Sequence, residues 1–164
     1  MQSEFVYKKL QEFKISYQLI EHKPVFTTKE ANTFVNDKNV IRTKTLFLCD
    51  HKSRSFFMII SDDQKQLNMA KIAPKLDIKR PKFASPDNLM KKLAVTPGSV
   101  SLFGLLNNHE QDVKVFIDKD IDASNQSLIS FHPNDNSKTV FISVKDMYKF
   151  LKKSEFDYQI IELS

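Results

Sequence analysis

V-I-R-T-K-T-L-F-L-C-D (residues 40–50), H-K-S-R-S (51–55) and F-F-M-I-I-S (56–61) form the stretch that decides the fold. Two runs rich in β-branched and aromatic residues flank a polar segment, which predicts two strands joined by a turn. In the first run period-two alternation sets Lys44 on the face of Leu46 and Leu48, and Thr45 and Phe47 on the other. Phe47 and Met58 read as core, and Cys49 as a small buried hydrophobe.

Working outward, residues 3–14 predict a helix with Ser3 as its cap and Phe5, Val6, Leu10 and Phe13 on one face. Residues 17–21 predict a strand. Thr27 and Glu30 have capping-box spacing and open a short helix over 28–36. A helix over 69–76 must bend or end at Pro74. Ser85 followed by Pro86 starts a helix over 86–94. A turn at Pro97-Gly98 leads into a short helix or an irregular loop. Strands follow at 113–118, 127–132 and 139–143, then a helix capped by Ser143 and a strand at 158–163. Strands and helices mix without strict alternation. The expectation is an α+β fold, one domain over residues 1–164, with a curved mixed β-sheet flanked by helices.

The chain has 164 residues, 41% of them hydrophobic, enough for one sizeable core. No apolar run approaches the ~18 residues of a membrane span. The N-terminal stretch is amphipathic and carries two acids, unlike a signal or transit peptide. One cysteine forbids an internal disulfide, and a reducing cytoplasm is the expected location. The net charge is +5, and the excess is local. Residues 65–92 hold Lys65, Lys71, Lys75, Lys79, Arg80, Lys82, Lys91 and Lys92 against Asp77 and Asp87. Such a stretch attracts a phosphate backbone or is simply a solvated surface.

Glycine is scarce. Average usage of ~7% gives about eleven in this length; here there are two, Gly98 and Gly104, both in PGSVSLFGLLNN (97–108). Either the backbone there is unusual or this is an ordinary turn beside a helix. Two glycines cannot supply a P-loop or a dinucleotide fingerprint. Gly98-Ser99-Val100-Ser101 is not a nucleophile elbow. His22, His51, His109, His132 and Cys49 lack paired zinc spacing, so no metal and no cofactor is expected.

Seven segments taken together resemble the YbaK/ProX family, relatives of the editing domain inserted in bacterial prolyl-tRNA synthetases. They are YQLIEHKPVFTTKEA (17–31), RTKTLFLCD (42–50), KRPKFAS (79–85), TPGSVSLFGLLNN (96–108), VKVFIDKDI (113–121), FHPNDN (131–136) and TVFISVKDMYKFL (139–151). They stand in the family's order and cover nearly the whole chain. PGSVS, then F-I-D, then H-P-x-x-N look most like the free-standing proteins that remove alanine from tRNA(Pro). The resemblance implies a barrel-like mixed sheet and a trans-editing aminoacyl-tRNA deacylase. Its partners would be the acceptor end of mischarged tRNA(Pro) and prolyl-tRNA synthetase.

The same resemblance implies roles. Gly98, Ser99, Val100 and Ser101 would cradle the ester and stabilise the oxyanion through backbone N–H groups, with the substrate's ribose hydroxyl moving the proton. Lys44 would bind the terminal phosphate or the 3′ adenosine; otherwise it is a strand-edge lysine in solvent. His132 would wall the amino-acid pocket or act as general base, or else rest on a backbone carbonyl. Asp118 would face the substrate's α-ammonium, or merely end a strand. Asn136 belongs to the H-P-x-x-N match; His22, Pro24, Thr27 and Thr28 read as supporting the cleft. Leu102 replaces a proline common in the family, which bears on turn rigidity. Asn107-Asn108 replaces a frequent Asn-Asp. A binding module without turnover and a general RNA-binding protein are the other two readings.

Overall fold

A computed structural model describes residues 2–21, 40–124 and 127–163. Eight strands form one mixed, curved sheet: β1 (Gln18–Glu21), β2 (Val40–Cys49), β3 (Phe56–Asp62), β4 (Lys82–Phe83), β5 (Val113–Asp118), β6 (Leu128–Phe131), β7 (Lys138–Ser143) and β8 (Tyr158–Ile161). Its order is β1-β7-β6-β2-β3-β5-β8, with β4 added on β2. The helices are α1 (Gln2–Glu12), α2 (Met69–Leu76), α3 (Pro86–Leu93), α4 (Lys119–Ala123) and α5 (Val144–Lys153), with 3₁₀ turns at Pro97–Ser99 and Leu102–Asn107. The fold is α+β, as the pattern of runs predicts. The expected helix over 28–36 and His22, Pro24, Thr27 and Thr28 lie outside the described residues.

Strand β2 changes neighbours along its length. Residues 40–42 pair parallel with β6, through Arg42 opposite Ser130. From Thr43 onward β2 pairs antiparallel with β3, from Thr43–Asp62 to Cys49–Phe56. Among the described residues, the side that β6 leaves is next paired at Leu48 and Cys49, by β4, with Ala84 N–H donating to the Phe47 carbonyl at 3.0 Å. Between these points no described strand lies along that edge of β2.

The alternation along β2 and β3 separates two apolar layers. Phe47, Cys49, Phe56, Met58 and Ile60 join the main core with Leu102, Phe103, Phe131 and Phe150. Leu48, Phe57, Ile59 and Phe116 form a second layer, covered by Ile72 and Leu76 of α2. Phe103 packs edge-on to Phe131 (5.7 Å) and Phe150 (5.4 Å), which pins the glycine-bearing segment to the sheet. Burying one such ring contributes about 2–3 kcal/mol.

The proline and serine signals act locally. Ser85 Oγ accepts from Asn88 N–H at 3.2 Å ahead of Pro86, and Ser143 Oγ accepts from Asp146 N–H at 3.0 Å. Pro74 lies inside α2, which runs on to Leu76 and ends at the left-handed Asp77 (φ 55°). Two readings need correction. Ser3 is buried within α1, which begins at Gln2, and does not precede it. Phe5 stands 39% exposed under the Lys9 ammonium, outside the core. The two-residue β4 and the short α4 were too brief to register as patterns.

The structure also decides between the two readings of the glycines. Neither glycine has a positive φ; Lys14, Ser53, Asp77, Arg80, Ala94, Gln111, Asn134 and Glu155 do. What Gly98 and Gly104 supply is room. A Cβ on Gly104 would lie 3.1 Å from Leu93 Cβ, and one on Gly98 would lie 3.2 Å from Asn136 Nδ2. The segment is glycine-bearing because other chain approaches it, not because its backbone is left-handed.

Candidate active site

The same edge of β2 forms one wall of a cavity of about 280 Å³. Arg42, Thr43, Lys44 and Thr45 line it from β2; Pro97, Gly98, Val100 and Ser101 line it from the turn; Ser130, Phe131 and His132 line it from the end of β6. Thr139 and Asp63 also line it. The volume falls near the ~300 Å³ lower end of small-ligand clefts, enough for a small acyl group on a sugar. Thr43 fastens the floor: its hydroxyl donates to the Ser130 carbonyl, and its N–H points to Ser130 Oγ at 3.4 Å.

Five of the sequence-predicted residues meet here: Lys44, Gly98, Val100, Ser101 and His132. The Lys44 ammonium donates to the backbone carbonyl of Lys65. Its anchor is therefore a carbonyl rather than a carboxylate. His132 Nδ1 lies 2.9 Å from the Lys138 carbonyl. Only a protonated nitrogen can bond a carbonyl, so the neutral ring carries its lone pair on Nε2. The pocket position and the carbonyl contact, set against each other in the sequence, hold together. Ser101 Oγ accepts from Phe103 N–H at 3.1 Å and thereby starts the second 3₁₀ turn.

Three predicted residues stand elsewhere. Ser99 is buried, does not line the cavity, and donates its N–H to the Thr96 carbonyl at 2.9 Å. That donor is spent within the turn. Asn136 backs onto Gly98 from outside the lining. Asp118 is fully buried and away from the cavity. Its carboxylate binds Lys65 Nζ at 2.8 Å, caps α4 through Asp120 N–H at 3.0 Å and accepts from Asp62 N–H at 3.4 Å. Burial alone would lower the Lys65 pKa, but its bonds to Asp118 and Asp120 outweigh that and hold it above the ordinary lysine value. Asp118 thus ties down the segment after β3, which supplies both the carbonyl under Lys44 and the acid Asp63.

Asp63 is the functional candidate that sequence reading missed. Its Oδ2 lies 3.6 Å from Arg42 Nε, and its N–H donates to the Arg42 carbonyl at 2.9 Å. Burial raises its pKa above the ordinary carboxylate value and Asp62 adds to the rise, against the opposing charges of Arg42 and Lys44. The signal was available: running the β2–β3 pairing outward from the 51–55 turn sets residue 63 beside residue 42.

The basic stretch is less uniform than its composition suggests. Lys65 is held by Asp118 and Asp120. Lys92 is buried between Glu110 (3.1 Å) and Asp112 (2.6 Å), above the Phe56 ring. Lys71, Lys79, Arg80, Lys82 and Lys91 remain exposed, beside the exposed Phe83 and Met90. Among the described residues no helix is long and apolar enough to cross a membrane.

A curved mixed sheet with a small polar cavity at a strand's edge defines a class. The family model for the aminoacyl-tRNA editing domain matches residues 22–150, and the chain belongs to that family, a family of aminoacyl-tRNA deacylases. It is similar to the prolyl-tRNA editing protein ProX of Acetoanaerobium sticklandii, with 37% identity over 158 residues that cover 96% of this chain and 95% of that one. It is 30% identical to the prolyl-tRNA synthetase associated domain-containing protein 1 of Danio rerio, covering 90% of this chain and 82% of that one. A crystal structure described as a candidate trans-editing enzyme for prolyl tRNA synthetase shares the fold, with a TM-score of 0.72, 13% identity, and coverage of 99% of this chain and 96% of that one.

Proposed function

We propose that this protein is a trans-editing deacylase that hydrolyses mischarged tRNA(Pro), with alanine as the amino acid removed, in a reducing cytoplasm. The observation that carries this reading is the convergence of Lys44, the Gly98–Ser101 turn and His132 on one 280 Å³ cavity. Water attacks the ester carbonyl, the carbonyl oxygen gains charge, and the C–O bond to the ribose breaks. The products are free alanine and tRNA with its terminal hydroxyl restored. The backbone N–H groups of Gly98 and Ser101 are the oxyanion donors in this reading, Ser99 being engaged with Thr96. The neighbouring ribose hydroxyl relays the proton, so no side-chain nucleophile is required. Lys44 binds the terminal nucleotide, and His132 limits the size of the acyl pocket.

A small pocket rejects the larger proline by steric exclusion, whereas residues similar in size to alanine are separated weakly. The exposed cations Lys79, Arg80 and Lys82 give the acceptor stem a surface to follow, and prolyl-tRNA synthetase is a further proposed partner. The test is a panel of Ala-, Ser-, Cys- and Pro-tRNA(Pro) with deacylation followed over time. Fast release of alanine with proline retained supports the reading. Binding without release of any amino acid overturns it in favour of a non-catalytic module.

A further inference from the structure

An unblocked aminoacyl ester brings a cation of its own, the α-ammonium, into a cavity that already holds Arg42 and Lys44. Without an anion to meet it, that group would be desolvated beside two like charges. Asp118 does not meet it, because its carboxylate is buried and committed to Lys65. Among the described residues that line the cavity, Asp63 is the acid.

Its geometry suits the task. The Arg42–Asp63 contact of 3.6 Å is longer than the ~2.7–2.9 Å of a charge-assisted hydrogen bond, so the two attract without a closed fork. The Asp63 side chain is 26% exposed and that of Arg42 20%, so both border space that a ligand can enter. The Asp63 N–H bond to the Arg42 carbonyl and the Asp118 bond to Asp62 N–H fix the backbone on which the carboxylate is carried. The charged groups around Asp63 are Arg42, Lys44 and Asp62.

We propose that Asp63 is the specificity residue that accepts the substrate's α-ammonium, so that the site takes free aminoacyl esters and discriminates against α-hydroxyacyl or N-blocked ones. This rests on the aminoacyl-ester reading of the cavity. The ammonium donates to the Asp63 carboxylate, and Arg42 on the other side keeps that carboxylate ionised and oriented.

The experiment is calorimetric binding of two non-hydrolysable, amide-linked adenosine analogues, one alanyl and one lactyl. They have nearly the same shape and differ by ammonium against hydroxyl. Wild-type protein is expected to bind the alanyl compound about tenfold more tightly. Asp63→Asn, which keeps the side-chain shape and the backbone bond, is expected to bind both alike, with a melting temperature close to wild type. Equal binding by the wild type, no binding of either compound, or retained discrimination in Asp63→Asn overturns the proposal. The parent reading is separated by the tRNA panel. Discrimination through Asp63 without release from any mischarged tRNA removes the deacylase and leaves the Asp63 site. Release of alanine from tRNA with no alanyl preference in binding does the reverse.

Discussion

Gly98 lies against Asn136 so closely that a Cβ built on the glycine would stand 3.2 Å from the Asn136 side-chain nitrogen. Because Gly98 has no positive φ, alanine suffers no backbone strain there and even restricts the unfolded chain. The contact asks only that Asn136 yield by a few tenths of an ångström. Gly98→Ala is therefore expected to change stability by less than about 1 kcal/mol, while deacylation falls about tenfold because the turn, pressed against Asn136 behind it, shifts at the cavity wall. Melting temperature and turnover measured on the same sample separate the two effects.

Lys44 holds a backbone carbonyl, and that carbonyl can be hydrated when the side chain is removed. Lys44→Ala is expected to leave the melting temperature within a few degrees of wild type. Deacylation should fall by about a hundredfold or more, the scale of losing one charged contact to the reacting end of the substrate. Turnover like that of the wild type would remove Lys44 from the mechanism.

The strands were legible because polar turns bound them, and two helices because Ser85-Pro86 and Ser143 are local start signals. Part of the cavity was legible for a different reason: Lys44, Gly98, Val100, Ser101 and His132 fall in segments whose resemblance covers the chain. The glycines left two readings open because scarcity speaks for unusual backbone and for an ordinary turn alike, and only φ and the position of Asn136 and Leu93 decide. Asp118 misled because a strand-ending acid looks the same from sequence whether it faces a substrate or Lys65. Asp63 sits in a polar turn just past β3; the hairpin register sets it beside Arg42, but that this spot borders a cavity depends on where β6 parts from β2, a matter of pairing between distant segments.

Asn108 is fully engaged. Its Oδ1 accepts from Asp112 N–H (3.0 Å) and Val113 N–H (3.3 Å), while Nδ2 donates to Asp112 Oδ1 at 2.9 Å. Burial alone would raise Asp112, but bonds from Lys92 and Asn108 outweigh it and hold its pKa below the ordinary value. Asn108→Asp turns a donor into an anion facing that carboxylate. A loss of about 1–3 kcal/mol is expected in urea unfolding at neutral pH. The loss should shrink in mild acid, where the introduced carboxyl takes up a proton and becomes a donor again.

Asp118 acts on the site only through the segment it ties down. Asp118→Asn leaves Lys65 with Asp120 alone and weakens the hold on Asp62. Chemical denaturation is expected to show a loss of about 2 kcal/mol, below the range for a fully buried pair because Lys65 retains some solvent contact. The ratio of alanyl to lactyl analogue binding should survive, since Asp63 is untouched. Loss of that ratio in Asp118→Asn with a normal melting temperature would return the ammonium contact to Asp118.

Burial raises the Asp63 pKa, so the carboxylate protonates at a higher pH than an exposed aspartate near ~3.9. Once protonated it no longer attracts an ammonium. The KM for alanyl-tRNA(Pro) is expected to rise as pH falls through that elevated value, with kcat nearly constant, because the lost contact serves ground state and transition state alike. Asp63→Asn should give the high KM throughout and show no titration in this window. Stability moves in the opposite sense. The folded form holds the Asp63 proton more tightly than the unfolded chain, so this group contributes its cost as pH rises through the window and relieves it in acid. Wild type should therefore gain stability relative to Asp63→Asn as pH falls, while its KM worsens. A KM titration with no matching change in relative stability would assign the pH dependence to another group.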